Sequence, residues 1–547
     1  MEIRLRYLFI FTLVKLAITG DIPCSARLEQ YGYICVCNET YCDTVERPSQ
    51  LPRGQYYHYM TSEDSPGFTK TVGTFLNISD TSNISSDVYI SVNSDLQYQT
   101  FVGVGASFTD SSGMLFHSLP LGVQNKFVES FFGSSGLEYT LVRVPVACSD
   151  FSTRPYSYDD VPGDMELKYF NLTQEDYILK IPLIKMAQNA STRGLKLVAT
   201  PWTAPFWMKS NNSTQPGYLH SQYYRAWSNY ILKFFEAYNE QGIEFWGLTQ
   251  GNEFIVPIYF GAFFIMPNMI MLPSQARYWT KAYLGPILRT SDYKHIKILT
   301  LDDERPFMSW WSDRMFTDKE AAHYIDGIAL HWYFDNNRSI SELEQFNKKY
   351  PDKFILYTES SINTFQSGGS AVSLGDWSRA VRYINNVFQN FGHWVVGYVD
   401  WNIALDESGG PTGPSKVPLE ASVIINATRG EFYKQPIFYV LGHFSKFIQP
   451  GAKRIDVTIS QDSISAHGKK FQGEMNVSTT ASPFPTRKPD PPSNVVLALA
   501  TKNPDSSYTL IVYNPRAVPA NVIVNDNRIG TFNQTVPPHS LNSFVYW

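Results

Sequence analysis

The sequence lacks the features that would indicate nucleic acid, a membrane span or a nicotinamide cofactor. Its 547 residues contain 45 Lys and Arg against 50 Asp and Glu, a net charge of −5, so it has no basic footprint for nucleic acid. Beyond the first 20 residues, no stretch reaches the roughly 18 uninterrupted apolar residues that a membrane-spanning helix needs. No Gly-rich dinucleotide fingerprint follows any predicted strand. We therefore expect a soluble mature protein that is not a nicotinamide-dependent enzyme.

Cysteine is also scarce, and its distribution is uneven. Four of the five cysteines, Cys24, Cys35, Cys37 and Cys42, crowd near the N-terminus, while Cys148 stands alone. Four cysteines allow three pairings, and the sequence does not choose among them. A zinc site is the alternative, but neither a histidine nor a Cys-x-x-Cys pair supports it. We predict a disulfide-stapled segment over residues 21–50, formed in an oxidising compartment.

The N-terminus and the sequons indicate the secretory route. Residues 1–20 place two arginines before a short apolar run and end in small residues, which is typical of a cleaved signal peptide. Asn-x-Ser/Thr sequons recur along the chain, at Asn38, Asn77, Asn171, Asn212, Asn337, Asn426 and Asn533. Together these features predict a secretory glycoprotein.

Eight short apolar runs alternate with helix-period segments through the middle of the chain. They are residues 101–108, 138–146, 195–200, 244–249, 296–301, 327–333, 354–359 and 395–401. Continuous apolar runs suit strands that are buried on both faces of a parallel sheet. Eight of them separated by helices favour an α/β fold, a (β/α)₈ TIM barrel over residues 99–402, rather than an open doubly wound sheet.

The pattern changes on either side of the predicted barrel. Residues 451–547 contain several β-type runs, interrupted by a proline-rich segment at 478–493, and predict a C-terminal β-sandwich. The runs within 51–98 are expected to add strands to it. Residues 435–450 read as a helix that ends at a Pro-Gly pair and closes the barrel.

Polar and aromatic residues follow nearly every predicted barrel strand, where TIM barrels build their active sites. They are Arg143, Asp150, Trp202, Asn252, Glu253, Asp302, Asp303, Glu304, His331, Trp332, Tyr333, Glu359, Asp400 and Trp401. Any one of these is as well explained as a solvated loop residue, but the set as a whole is hard to attribute to core packing. Two carboxylates with aromatic rings that stack on a sugar suit glycoside hydrolysis. Glu253 and Glu359 face each other across the mouth and are expected at the roughly 5–5.5 Å of a retaining enzyme.

With these residues in view, the chain resembles the glucocerebrosidases (acid β-glucosidases, or glucosylceramidases) of glycoside hydrolase family thirty. The likeness runs almost end to end. Its blocks are CVCNETYCD, RVPVACSDFSTRPYSY, LVATPWTAPFWMK, GIALHWYFD, GYVDWNIAL and FYKQPIFYVLGHFSKFI.

The resemblance implies a role for each matching residue. Glu253 would be the general acid/base and Glu359 the nucleophile. The glucose-binding residues would be Asp150, Trp202, Asn252 and Trp401, with Phe151 and Tyr333 lining the site and Arg143 and His331 supporting it from behind. The resemblance also implies the pairings Cys24–Cys35 and Cys37–Cys42, in a small N-terminal sheet that residues 403–434 complete.

It further implies the reaction and its setting. The enzyme would hydrolyse glucosylceramide to glucose and ceramide by double displacement, in sphingolipid catabolism, with neither a metal nor an organic cofactor. We expect residence in the lysosome, with secretion as the alternative. A saposin-type activator and an anionic lipid surface would be its partners.

The chain departs from the family at several positions near the mouth. Gly251 and Phe254 replace the usual residues beside the acid/base, Glu304 replaces a glutamine, and the 409–420 loop differs most. If Glu304 points into the pocket, its charge should raise the pKa of Glu253 further. Two alternatives stay open for these reasons. One is a catalytically impaired paralogue that binds glucolipid, and the other is a retaining hydrolase of another β-glycoside.

Overall fold

The computed structural model describes residues 21–76, 86–261, 265–335, 339–363, 370–413, 415–461 and 494–547. The predicted signal peptide, the sequons at Asn77 and Asn337 and the proline-rich 478–493 segment lie outside these ranges. Among the helices within them, none is both long and apolar enough to cross a membrane.

Eight parallel strands close into a barrel, which confirms the predicted TIM barrel. They are β6 (Gly103–Ser107), β7 (Leu141–Val146), β8 (Lys196–Pro201), β9 (Gly247–Thr249), β10 (Lys297–Glu304), β11 (Gly327–His331), β12 (Phe354–Glu359) and β13 (Val395–Asn402). One buried apolar residue from each of six strands fills the interior: Leu141, Val198, Leu299, Ala329, Leu356 and Val399. The interior is therefore a packed core, and the polar residues lie at the C-terminal strand ends above it.

Helices surround the barrel and cover the outward faces of its strands. They are α1 (Asp110–Ser118), α2 (Leu121–Phe132), α3 (Ile181–Ala190), α4 (Tyr224–Glu240), α5 (Val256–Phe260), α6 (Pro273–Trp279), α7 (Gly285–Thr290), α8 (Met308–Met315), α9 (Lys319–Tyr324), α10 (Ser341–Lys349), α11 (Trp377–Gly392) and α12 (Pro436–Phe447). In α4, Trp227, Ile231, Phe234 and Tyr238 form one buried face at helical spacing, which is why this segment folds as a helix.

The disulfide-stapled N-terminal segment belongs to a small five-stranded sheet. Its strands are β1 (Ala26–Leu28), β2 (Tyr33–Cys37), β14 (Leu405–Asp406), β15 (Val423–Asn426) and β16 (Glu431–Lys434), in the order β1-β2-β16-β15-β14. Cys24 is bonded to Cys35 and Cys37 to Cys42, the pairing that the resemblance implies. The sheet joins the N-terminus to the segment that follows the last barrel strand.

Nine strands from both ends of the chain form the β-sandwich. They are β3 (Gln55–Ser62), β4 (Ser65–Thr74), β5 (Val88–Thr100), β17 (Lys453–Gln461), β18 (Leu497–Lys502), β19 (Tyr508–Asn514), β20 (Ala520–Asp526), β21 (Gly530–Val536) and β22 (Ser540–Tyr546). They are hydrogen-bonded in the series β21-β20-β5-β17-β18-β19-β22-β3-β4. The rings of Tyr56 on β3 and Phe532 on β21 lie 4.3 Å apart, so the series folds back on itself around a shared core.

Candidate active site

Two glutamates meet in the mouth of the barrel, at the ends of β9 and β12. One carboxyl oxygen of Glu253 and one of Glu359 lie within 4.8 Å of each other and of a ring nitrogen of His331. Both glutamates are nearly buried, with 7% and 6% of their surface exposed. The two acids that the sequence singled out therefore share one enclosed site.

Arg143, which projects from β7, connects the two sides of this site. Its Nη1 donates to Glu359 at 2.6 Å. Its Nη2 donates to the side-chain oxygen of Asn252 at 2.7 Å and to Asp302 at 2.9 Å. Because the guanidinium is fully buried, its charge acts on these partners with little screening by solvent. Because the amide oxygen of Asn252 accepts this hydrogen bond, its amide nitrogen faces away from the arginine.

His331, at the end of β11, bridges two carboxylates. Its Nδ1 lies 3.1 Å from Glu253 and its Nε2 lies 3.2 Å from Asp302. Burial disfavours the charged ring, but the neighbouring charges of Glu359, Asp302 and Glu253 outweigh it and raise the pKa of His331 well above its ordinary value. We infer that the ring is protonated and donates to the Asp302 carboxylate and to a carboxyl oxygen of Glu253.

Asp302 is the functional residue that the sequence did not distinguish. It is fully buried and accepts hydrogen bonds from Arg143, Thr249 and Thr358. Burial opposes its ionisation, yet Arg143 and His331 lower the pKa of Asp302 below its usual range. Its backbone has a left-handed φ of +52° beside a β-bulge. That bulge is not visible in the sequence, where two aspartates simply follow one another.

The environment of Glu253 favours its protonated form. Burial is the largest cause that raises the pKa of Glu253, and the charge of Glu359 adds to it, while His331 and Arg143 act in the opposite direction. Glu359 accepts a second hydrogen bond, from the Tyr333 hydroxyl at 2.8 Å, on the oxygen that Arg143 does not contact. The two glutamates are thus held differently: burial raises the pKa of Glu253, whereas both oxygens of Glu359 accept hydrogen bonds.

Aromatic rings form one side of the site. Trp202 and Trp401 stack with ring centroids 5.0 Å apart, and the Arg143 guanidinium lies over both rings. Phe151 is fully buried and meets Trp401 edge-on at 6.2 Å, so it contacts the site through that tryptophan. Rings in such an arrangement can stack on the apolar face of a sugar.

Three buried polar atoms in this region have no hydrogen-bond partner among the described residues. They are Oδ1 of Asp150 and the indole Nε1 atoms of Trp202 and Trp401. Burial, followed by the charges of Glu359 and Glu253, raises the pKa of Asp150 well above its ordinary value. Buried polar atoms are usually satisfied, so these three fit a site that receives hydroxyl groups.

The departures near Glu253 complement each other. A Cβ on residue 251 would overlap the ring of Phe254, so the glycine makes room for the phenylalanine. Glu304 is fully buried and accepts from the Phe334 amide at 3.0 Å. Burial raises the pKa of Glu304 well above its ordinary value. Burial therefore favours the neutral form of Glu304, which would add no negative charge beside Glu253.

Within the described ranges, two groups have the composition of a metal site. Cys37, Cys42 and Asp43 form one, but its two thiols are joined in a disulfide. Glu253, His331 and Glu359 form the other, and there the Arg143 guanidinium already provides the cation beside Glu359. Neither set is arranged as a free set of metal ligands.

The sequence matches two family descriptions that together cover the barrel and the C-terminal strands of the sandwich. Residues 101–448 match the glycosyl hydrolase family 30 TIM-barrel domain, and residues 485–544 match the β-sandwich domain of the same family. The chain belongs to glycosyl hydrolase family 30. It is accordingly a glycoside hydrolase, as the resemblance implied.

Relatives within this family extend over the whole length. The lysosomal acid glucosylceramidase of Mus musculus is 30% identical over 100% of this chain and 99% of its own. A Caenorhabditis elegans protein, provisionally named glucosylceramidase 4, is 37% identical over 96% of this chain and 95% of its own. The crystal structure of SrfJ from Salmonella typhimurium superposes with a TM-score of 0.76 at 22% identity, over 90% of this chain and 99% of that one, and shows the same fold.

Proposed function

We propose that this family 30 hydrolase is a retaining β-glucosidase that hydrolyses glucosylceramide to glucose and ceramide. The observation that carries the proposal is the convergence of Glu253 and Glu359, with carboxyl oxygens within 4.8 Å of each other in a nearly buried mouth. Retaining glycosidases hold their carboxyl groups about 5–5.5 Å apart, whereas inverting enzymes leave about 6.5–9.5 Å for a water molecule. The short spacing supports double displacement.

In the first step, Glu359 is the nucleophile and Glu253 the general acid. Arg143 and Tyr333 each donate a hydrogen bond to one oxygen of Glu359, which orients its carboxyl group toward the sugar. A new bond forms between Glu359 and the anomeric carbon as the bond to the leaving oxygen breaks. That oxygen takes the proton of Glu253, which leaves a glucosyl ester and a free alcohol.

In the second step, Glu253 acts as the base. The ester of Glu359 carries no charge, so one cause of the raised pKa of Glu253 is removed and its carboxylate persists. Glu253 then takes a proton from water as the water oxygen attacks the anomeric carbon and the ester bond breaks. Glucose leaves, and both glutamates return to their starting protonation states.

The sugar-binding roles rest on the aromatic side of the site and its unpartnered polar atoms. Asp150, Trp202 and Trp401 offer hydrogen-bonding atoms beside stacking surfaces. Asn252, whose side-chain oxygen is held by Arg143, presents its amide nitrogen to a sugar hydroxyl. A contact of this kind to the 2-hydroxyl is expected to strengthen in the transition state.

An exposed apolar rim beside Glu253 supports a lipid aglycone. Ile258, Tyr259 and Phe260 on α5, and Ile265 after it, are all exposed large apolar residues within a dozen positions of the acid. Exposed apolar side chains of this kind suit contact with an acyl chain or a membrane surface. The name of the mouse relative supports glucosylceramide as the substrate and the lysosome as the location, with secretion as the alternative location. The saposin-type activator and the anionic lipid surface stay predictions.

The test combines a mechanism-based label with a substrate panel. An epoxide analogue of glucose should label Glu359 in the purified protein, and Glu359→Gln should abolish both labelling and turnover while the protein still folds. Glu240→Gln, at the exposed end of α4, is the matched control and should behave as wild type.

Three results would point elsewhere. Folded protein that is never labelled between pH 4 and 7 would favour the glucolipid-binding paralogue. Faster turnover of a xyloside or galactoside than of a glucoside would favour a hydrolase of another β-glycoside. Near-normal activity in Glu359→Gln would remove the assignment of the nucleophile.

A further inference from the structure

All four backbone hydrogen-bonding groups of Asn252 and Glu253 are engaged. The Asn252 N–H donates to the Pro201 carbonyl and the Glu253 N–H to the Asp302 carbonyl, both at 2.9 Å, so the neighbouring strands hold the two donors. Both carbonyl oxygens accept from one side chain: Nδ2 of Asn268 lies 2.9 Å from the Asn252 oxygen and 3.3 Å from the Glu253 oxygen.

Glu253 needs this support because its backbone is in the left-handed region, with a φ of +49°. Such a conformation is unfavourable for a residue with a Cβ, and it persists only where the surroundings determine it strongly. Of the supports just named, the Asn268 amide is the one that comes from outside the barrel strands and their tips. It approaches from the segment between α5 and α6.

Asn268 is itself held at both ends of its backbone. It is fully buried, and its N–H donates to the Thr214 carbonyl at 3.0 Å. Its carbonyl accepts from the Lys209 ammonium at 2.6 Å. The long connection after β8 and the one after β9 are therefore joined directly beneath Glu253.

Lys209 is a buried cation with neutral partners. Besides Asn268, its ammonium contacts the Thr203 hydroxyl at 2.8 Å and the carbonyls of Gln215 and Thr214 at 2.6 and 3.1 Å. Burial lowers the pKa of Lys209 to about 7, so the ammonium keeps its proton in acid. Burying a charge without a carboxylate partner costs stability. We therefore infer that the Lys209 ammonium serves to fix the geometry of the two connections that it joins.

We propose that Asn268, anchored by Lys209, is a positioning residue that holds the peptide of Glu253 so that its carboxyl group meets the leaving oxygen. This inference rests on the proposed role of Glu253 as the acid. Glu359 is supported separately, since β12 carries it and Arg143 and Tyr333 orient its carboxylate. Loss of the Asn268 amide should therefore weaken acid assistance while leaving nucleophilic attack intact.

A leaving-group comparison isolates that effect. Acid assistance matters for a poor leaving group such as octanol and little for dinitrophenol. For both glucosides, kcat/KM reports the steps up to formation of the glucosyl ester. In Asn268→Leu, which removes both donors at similar volume, we expect kcat/KM for octyl β-glucoside to fall by about 100-fold, since a small misplacement of a catalytic group costs that much. The value for dinitrophenyl β-glucoside should fall by no more than about threefold.

The matched control is Asn503→Leu. Asn503 is also buried and also donates its Nδ2 to a carbonyl, that of Phe447, but it lies at the contact between α12 and the sandwich. We expect a lower melting temperature and an unchanged ratio of the two kcat/KM values. Lys209→Met removes the anchor but not the Asn268 amide. It should lower the ratio of kcat/KM for octyl β-glucoside to kcat/KM for dinitrophenyl β-glucoside, by a smaller factor than Asn268→Leu does.

A cooperative melting curve together with near-wild-type kcat/KM for dinitrophenyl β-glucoside verifies that each variant is folded at the site. If Asn268→Leu does not fold, Asn268→Ser, which offers one donor, should give an intermediate ratio. If the wild-type protein turns over both glucosides and the folded Asn268 variants show the same ratio of the two kcat/KM values as wild type, the positioning role of Asn268 is overturned and the proposed function stands. Wild-type protein that turned over neither glucoside would overturn the proposed function, and the role of Asn268 with it.

Discussion

Asp302 places one negative charge between two cations, Arg143 and His331, each of which contacts one catalytic glutamate. In the proposed resting state, the negative charges of Asp302 and Glu359 match the positive charges of Arg143 and His331, while Glu253 carries a proton. The protonation of Glu253 and the orientation of Glu359 both depend on this charge, although Asp302 acts on the two glutamates through Arg143 and His331.

Glu304, two residues after Asp302, allows a test of whether its own side chain is neutral in the folded protein. Because burial keeps it neutral, Glu304→Gln replaces one uncharged group by another of the same shape. We expect kcat/KM, and the pH at which activity declines on the alkaline side, to match wild type in a pH–rate profile with an aryl glucoside. If Glu304 were instead ionised, its removal would lower the pKa of Glu253 and move that decline to lower pH.

The contrasting variant is Asp302→Asn, which removes a charge that the site uses. It leaves Arg143 and His331 short of a counter-charge, and breaking a buried ion pair costs about 3–5 kcal/mol. We expect activity to fall and the melting temperature to drop at pH 6. Since the folded-state pKa of Asp302 is lowered, that stability difference should shrink as the pH is lowered through about 4.

For single residues of the site, the sequence predicted which residue types are present but did not predict their geometry. The carboxylates and rings at strand ends followed from the apolar runs before them, because parallel strands end at one edge. The separate roles of Asp302 and Asp303 did not follow. They depend on left-handed backbone at Leu301 and Asp302, which tertiary contacts impose on residues that do not favour it.

The loop between β14 and β15 is the element that closes over the sugar side of the site. The Gly413 N–H donates to the Asp150 carbonyl at 3.3 Å, and the Ser111 hydroxyl donates to the Pro411 carbonyl at 2.6 Å. Val417 packs against the cluster that contains Trp202 and Trp401. The part of the chain that departs most from the family therefore touches the residues proposed to bind glucose.

Gly413→Ala should displace this loop. A Cβ at this position would overlap the Ser152 carbonyl oxygen, which is backbone and has little freedom to move. We expect KM for an aryl glucoside to rise by about tenfold with a smaller change in kcat, because the loop supports the residues that bind the sugar and not those that react with it.

Gly392→Ala at the end of α11 is its control. A Cβ there meets no atom within 4 Å, so the kinetic constants should be unchanged. An equal loss of kcat and kcat/KM in Gly413→Ala would instead place the loop's contribution in the transition state.

Elements were predictable where periodicity was strong. Every one of the eight apolar runs overlaps a barrel strand, yet β9 spans only Gly247–Thr249 rather than the whole of 244–249. It pairs with β8 and β10 over two and three residues, so the preceding Glu244–Trp246 stays outside the ladder. Which strands neighbour one another in the sandwich was not predictable, because β5 pairs with strands more than about 350 residues away in sequence.

At the scale of the whole molecule, two buried histidines lie where the barrel meets the sandwich. His443 on α12 lies 2.7 Å from the Ser543 hydroxyl, and His58 on β3 lies 2.9 Å from the side-chain oxygen of Asn542. Burial lowers the pKa of both rings, and for His443 the nearby His58 adds to the effect. Burial therefore favours the neutral form of both rings in the folded protein.

This interface should weaken in acid. The unfolded chain gains a proton on His443 below about pH 6.5 that the folded chain does not, so stability falls as the pH is lowered through that value. We expect the free energy of unfolding to fall less in His443→Gln than in wild type between pH 7.5 and 5. The difference between the two proteins should be up to about 1.4 kcal/mol for each pH unit below 6.5.

Urea unfolding at several pH values measures the effect. Exposed His295→Gln, in the connection before β10, is the control and should follow the wild-type curve. Parallel pH dependence in wild type and His443→Gln would show that the buried ring does not titrate across this range.

The arrangement of the sandwich also dictates an order of events during synthesis. Ile90 on β5 lies between Ile459 of β17 and Val524 of β20, so a strand made among the first hundred residues waits for one made among the last thirty. All eight barrel strands leave the ribosome in the meantime. A nascent chain must therefore keep its early strands from pairing wrongly until translation is almost finished, and a premature stop before Ala520 leaves β5 with an open edge that invites aggregation.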